Sequence, residues 1–147
     1  MTMPDGLDEP AEPAYMRTLP EEECYKLLGV STVGRIGFVS SGGVQILPVG
    51  FRLGDEHRLF MRTSSDGTVA RLARDGASVG FEVDYHANDF GIAWSVLMNG
   101  TVSFLDSAAT EAYARLRLQP VPWPGLPDSV AIQFVPQTIS GRGLHRH

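Results

Sequence analysis

The run GFEVDYHANDFGIAWSVLMNGTVSFLD, residues 80–106, decides how the chain folds. Phe81 and Val83 alternate with Glu82 and Asp84, the period-two pattern of a strand with one buried face. The polar stretch YHANDFG (85–91) is a loop. IAWSVLMNGTVSFLD (92–106) then reads as a long second strand, in which Gly100 marks a bulge or a close backbone approach. Two strands joined without a helix between them are antiparallel neighbours. Trp94 and Ser95 stand at the mouth of the second strand. A strand-borne tryptophan suits a core or an interface; it could equally stack on a flat aromatic ligand while Ser95 bonds a polar edge. The residue types leave both open.

Working outward, SAATEAYARLRL (107–118) is an alanine-rich helix with Asp106 or Ser107 as N-cap. A proline-rich loop, QPVPWPGLPD, precedes the last strand, SVAIQFVPQTISG. Upstream, ASVGFEVD is a strand, and TSSDGTVARLARDG changes to helical spacing at Val69, Leu72 and Ala73, with Gly76 as its stop. RLFMR, VQILPVGFRL and VGRIGFV are further strands. SSGG suits a tight hairpin turn, and Pro48 implies an edge, a bulge or a bend. In TLPEEECYKLLG, Thr18 and Glu21 have capping-box spacing and Gly29 suits a helix C-terminus. About six strands with interspersed short helices and tight turns predict a mainly β, α+β fold closed into a small antiparallel barrel. Residues 1–17 are expected as a flexible acidic tail, and residues 18–147 as one domain.

Composition excludes several functions. A chain of 147 residues, 43% hydrophobic and 20% charged, can bury its own core. Its net charge of −5, with no basic run and Lys26 as the sole lysine, argues against nucleic acid as a partner. No segment approaches the roughly 18 apolar residues of a membrane span. The single cysteine, Cys24, suits a reducing compartment and reads as a small buried hydrophobe. With an acidic, proline-rich N-terminus unlike a secretory signal, the expected location is the cytoplasm.

Few residues advertise chemistry. In FMRTSSDGTVARL, a strand delivers Arg62, Thr63 and Ser64 to a glycine turn and a helix start, where hydroxyls, N–H groups and a guanidinium could cradle phosphate. Arg71 and Arg74 could add charge. The same residues serve equally as a capped helix, with Ser65 or Asp66 as N-cap. Glu82 and Asp84 share a strand face; a solvated face or a partnership with arginine is commoner than acid–base work. His57, His86, His145 and His147 lack the spacing of a zinc site, and no metal is expected. No nucleophile elbow, Walker loop or dinucleotide fingerprint occurs, and no catalytic side chain can be named.

Taken in order, GRIGFVSSGGVQILPVGFRL, RLFMRTSSDGTVARL, ASVGFEVD, WSVLMNGTV and VPQTISGR resemble the pyridoxamine 5′-phosphate oxidase-like family of flavin-binding split barrels, over roughly Leu19 to Arg142. The resemblance implies a six-stranded antiparallel split β-barrel acting as a homodimer, with FMN at the subunit interface and deazaflavin or haem as alternatives. By position, it implies that Pro48, Val49 and Gly50 line the isoalloxazine edge. Arg62, Thr63 and Ser64 would reach the ring or ribityl phosphate. Gly67, Thr68 and Arg71 would stand at the phosphate, and Trp94 and Ser95 would come from the partner subunit. One position departs: near Val69 many members carry a lysine that pairs with the cofactor phosphate.

Two functions follow as expectations. The first is an FMN-dependent oxidoreductase acting on a small molecule, which needs no nucleophile from the protein. The second, which Val69 and Asp66 favour, is a non-catalytic dimeric barrel holding flavin, deazaflavin or haem. Vitamin B6 oxidation fits poorly, because GRGLHRH offers only Arg142, His145 and Arg146 for a substrate phosphate.

Overall fold

The computed structural model describes residues 14–116 and 128–146. Eight antiparallel strands form one sheet: β1 (Ala14–Leu19), β2 (Val33–Ser40), β3 (Gly43–Gly50), β4 (Arg52–Leu53), β5 (Leu59–Ser64), β6 (Ser78–Ala87), β7 (Ile92–Phe104) and β8 (Ser129–Arg146). Three helices, α1 (Glu21–Gly29), α2 (Thr68–Arg74) and α3 (Ser107–Arg115), lie between them. The spatial order is β3-β2-β6-β7-β8-β5-β4, with β1 paired to β8 beyond the reach of β5. β6 and β7 pair in register from Ser78 opposite Thr101 to Ala87 opposite Ile92.

Alternation sets the core. Ile36 and Phe38 from β2, Leu59 and Met61 from β5, Phe81 and Val83 from β6, Val96 and Met98 from β7, and Ile132 and Phe134 from β8 all point inward and are buried. Phe81 sits between Phe51 and Phe134, with ring centroids 5.4 and 5.2 Å away. Gly34 belongs to the inward set, and its missing side chain admits Phe81: a Cβ there would lie 2.6 Å from the ring. A smaller cluster lies on the outer face, where Phe60 packs on Ala109 and Ala112 of α3.

The bulge expected at Gly100 is present. The β7–β8 register shifts between Asn99, opposite Thr138, and Gly100, opposite Pro136. A Cβ on Gly100 would stand 2.2 Å from the Val135 carbonyl oxygen, so the close approach holds as well. Pro48 sits on an edge strand, since β3 pairs with β2 alone.

Several local expectations are corrected. Strand count rises from six to eight through the two-residue β4 and through β1, which starts inside the stretch expected as tail. Thr18 lies in β1 and bonds across to β8, so the Thr18–Glu21 capping box does not form; the α1 N-cap is Pro20, without a side-chain cap bond. The α2 N-cap is Gly67 rather than Ser65 or Asp66. Asp106 does cap α3, accepting a 2.7 Å bond from the Ala109 N–H. Tyr85, His86 and Ala87 extend β6 instead of joining the loop. Most of the proline-rich loop and of the acidic N-terminal stretch lies outside the described residues.

Candidate functional site

The barrel has a seam without ladder bonds. β3 is one edge of the sheet, and the chain leaves it at Gly50 to reach β4 at the opposite edge. There β4 pairs with β5. β3 therefore comes beside β5 without hydrogen-bonding to it, and its outer backbone groups have no strand partner. Along this seam Pro48 is exposed, Val49 is half-buried against the core, and Gly50 is buried. On β5, Thr63 has the inward-facing parity of Leu59 and Met61.

Beyond Thr63 the chain makes the turn into α2, and its polar groups are bound to one another. The Ser64 hydroxyl donates to Asp66 Oδ1 at 2.6 Å. The Ser65 N–H donates to the Asp128 carbonyl at 2.9 Å, and the Gly67 N–H to the Ser64 carbonyl at 3.1 Å. Arg71 donates to Thr68 Oγ1 at 3.3 Å. The Asp66 carboxyl is held below its ordinary range, chiefly by the Ser64 hydroxyl, then by its own backbone N–H and the nearby Arg71 charge. Val69 is 5% exposed and belongs to the core.

Arg62 does not join this turn. It alternates with Thr63, so its side chain leaves on the outer face beside α3. Nε donates to Ser129 Oγ and Nη2 to the Ser129 carbonyl, both at 2.9 Å; Nη1 reaches the Tyr113 hydroxyl at 3.2 Å. Of the six residues expected around this turn, Arg62 leaves, and Thr63, Ser64, Gly67, Thr68 and Arg71 stay on it. Ser129 and Tyr113, which take up Arg62, are distant in sequence and gave no local signal.

Trp94 and Ser95 likewise part. Trp94 shares the inward parity of Val96 and packs on the rim of the core, while Ser95 follows Leu97 outward. Trp94 stacks with Tyr85 opposite it, centroids 6.3 Å apart. Together they line a shallow groove of about 480 Å3 with Met16, His86, Ser95 and Arg142. Tyr85 escaped the sequence reading because its segment looked like loop.

The Glu82–Asp84 pair serves Arg35, as a partnership with arginine: the guanidinium donates to Glu82 at 2.9 Å and to Asp84 at 3.0 Å. Cys24 is fully buried, and burial, with Glu23 nearby, pushes its thiol up, away from reactivity. Among the described residues no group of three His, Cys, Asp or Glu side chains is arranged to hold a metal, and no helix is long and apolar enough to cross a membrane.

With this geometry in view, comparison with known proteins is informative. The family model described as pyridoxamine 5′-phosphate oxidase matches residues 20–143. The FAD binding protein of Mycobacterium smegmatis superposes with a TM-score of 0.72 at 25% identity, covering 86% of this chain and 98% of its own. An FAD-binding protein of Mesorhizobium loti does so at 0.72 and 24% identity, covering 91% and 100%. The FAD and haem binding protein of M. smegmatis, at 16% identity, covers 84% and 71% with a TM-score of 0.65. The last two likenesses speak to the fold alone. No curated protein matches the chain by sequence.

Proposed function

The chain belongs to the pyridoxamine 5′-phosphate oxidase family, and from that premise we propose that it is a flavin-dependent oxidoreductase of small molecules, working as a homodimer. The observation that carries this reading is the open seam between β3 and β5, where the outer edge of β3, the strand that holds Pro48, Val49 and Gly50, has no strand partner. The backbone groups of such an edge can hydrogen-bond the rim of a flat heterocycle, and a flavin bound there would supply the redox chemistry that no side chain of this chain can. The protein's own part is to bind the ring by backbone groups, orient it and keep water from its covered face. Flavin binding by a similar protein of M. smegmatis supports the reading.

The fit differs at the two ends of the seam. The ring end suits a flavin. The turn from Ser64 to Thr68 does not suit the phosphate of FMN: its Ser64 hydroxyl and the Ser65 and Gly67 N–H groups are engaged internally, Asp66 adds a negative charge, and Val69 is buried. Trp94 and Ser95 alternate along β7 yet both border the same groove, in which the Tyr85–Trp94 stack is the better surface for an aromatic ring.

A second reading is favoured by those same two residues: Asp66 and Val69 suit a non-catalytic dimeric barrel holding flavin, deazaflavin or haem. Absorbance spectra of the protein dialysed after incubation with FMN, FAD, riboflavin, deazaflavin and haem separate the two. Retained flavin bands that bleach with a reductant and recover with an electron acceptor are expected for the oxidoreductase. Retained haem alone, or a flavin that does not turn over, would establish the binding protein instead.

A further inference from the structure

Resting on the flavin reading, we propose that the Ser64–Thr68 turn refuses a phosphomonoester: Asp66 fills it with a carboxylate of the chain itself, and the seam accepts flavins whose 5′ end lacks a terminal phosphate. A phosphate held in this turn would need the Ser64 hydroxyl, the turn N–H groups and a cation. The hydroxyl is already bound to Asp66 at 2.6 Å. The Ser65 N–H is given to the Asp128 carbonyl and the Gly67 N–H to the Ser64 carbonyl.

Neither Arg71 nor Arg62 brings a spare cation to the turn. The Arg71 guanidinium lies on Thr68 and already faces the Asp66 charge. Arg62 is bound on the far side of the strand, and Val69 turns into the core. A phosphomonoester carries nearly two negative charges at neutral pH. Seating one here would break the Ser64–Asp66 bond and set like charges side by side. Riboflavin carries no such charge, and FAD carries a pyrophosphate in which each phosphorus has one ester link, one anhydride link and a single negative charge. Both satisfy the stated chemistry, and titration tells them apart.

The test titrates riboflavin, FMN and FAD into the full-length protein and into two variants, Asp66→Asn and Asp66→Lys, following quenching of flavin fluorescence. Asp66 is exposed and has no role in the core, and thermal unfolding checks that both variants fold. For the wild type, FMN is expected to bind no more tightly than riboflavin. Asp66→Asn is expected to tighten FMN by about tenfold and leave riboflavin within about twofold. Asp66→Lys should go further, with a gain that shrinks as salt is added.

FMN binding the wild type about thirtyfold more tightly than riboflavin would overturn the proposal, as would an FMN-to-riboflavin ratio indifferent to Asp66. Were no flavin to bind the wild type while FMN bound the variants, the refusal would stand and the flavoprotein reading would fall. Were nothing to bind any of the three proteins, both would fall.

Discussion

Arg62 shows how one step along a strand redirects a side chain. Its neighbour Thr63 faces inward, whereas Arg62 ties β5 to the first residue of β8 and to Tyr113 of α3 through three hydrogen bonds. Arg62→Ala is therefore expected to cost stability of about 1 kcal/mol, since neutral-partner bonds on an exposed group are modest. Flavin affinity should hold within about threefold. Chemical denaturation and a flavin titration on the same preparation check both; a tenfold loss of affinity with unchanged stability would restore Arg62 to the cofactor. The motif around Arg62 was legible, and so was the helix that follows. Its direction was not, because it depends on Ser129, brought alongside only by the β5–β8 pairing. Asp66 was legible as a misfit in a phosphate turn, but its bond to Ser64 was not.

At the scale of elements, the strands and helices follow the alternation and capping signals of the sequence, and the misses have physical causes. β1 exists because β8 runs past β5 and needs a neighbour for its second half, a demand set by a partner more than a hundred residues away. That pairing overrode the Thr18 capping signal. The Gly100 bulge was readable from a lone glycine in a long strand. Gly100→Ala is expected to destabilise by about 3 kcal/mol, because a methyl would strike the β8 backbone, which cannot yield like a flexible side chain. A urea midpoint within error of the wild type would refute it.

The Arg35–Glu82–Asp84 cluster makes a pH-dependent prediction about the β2–β6 contact. Burial, with the Asp84 carboxylate beside it, holds the Glu82 carboxyl above its ordinary value of 4.5, against the opposing pull of Arg35. A carboxyl raised in the folded state is penalised when ionised. The penalty is full above the folded pKa and disappears as the pH falls below the unfolded value. Glu82→Gln is accordingly expected to compare best with the wild type near pH 7–8 and to lose that advantage towards about pH 4. Thermal unfolding across this range checks it, and a variant less stable than the wild type near pH 7–8, with a deficit that vanishes on acidification, would show that the bond from Arg35 outweighs burial.

For the molecule as a whole, the question is what the barrel buries besides its own core. The interior accounts for the inward residues of every long strand, yet apolar side chains remain outside. Val39 is 80% exposed, Val44 73% and Ile46 65% on the β2–β3 hairpin, and Leu97 is 50% exposed in the middle of β7, an interior strand of the sheet. Scattered exposed leucines need no explanation, but an apolar hairpin and an uncovered interior strand suggest an interface. Barrel architecture was legible from strand count and tight turns. The need for a second copy was implied by resemblance alone, because alternation shows which face is apolar and not what covers it. If the homodimer forms over β7, Leu97→Glu places a charge where two sheets meet, with Glu82 already opposite it in the register. Burying an unpaired carboxylate is costly enough to dissociate such a pair. The variant is expected to sediment as a monomer at micromolar concentration while keeping the wild-type far-ultraviolet spectrum. Bound flavin should leave with the partner, if the ring is shared between the two subunits. A variant that stays dimeric would move the interface off β7 and towards the Val39–Ile46 hairpin, where Ile46→Glu repeats the test.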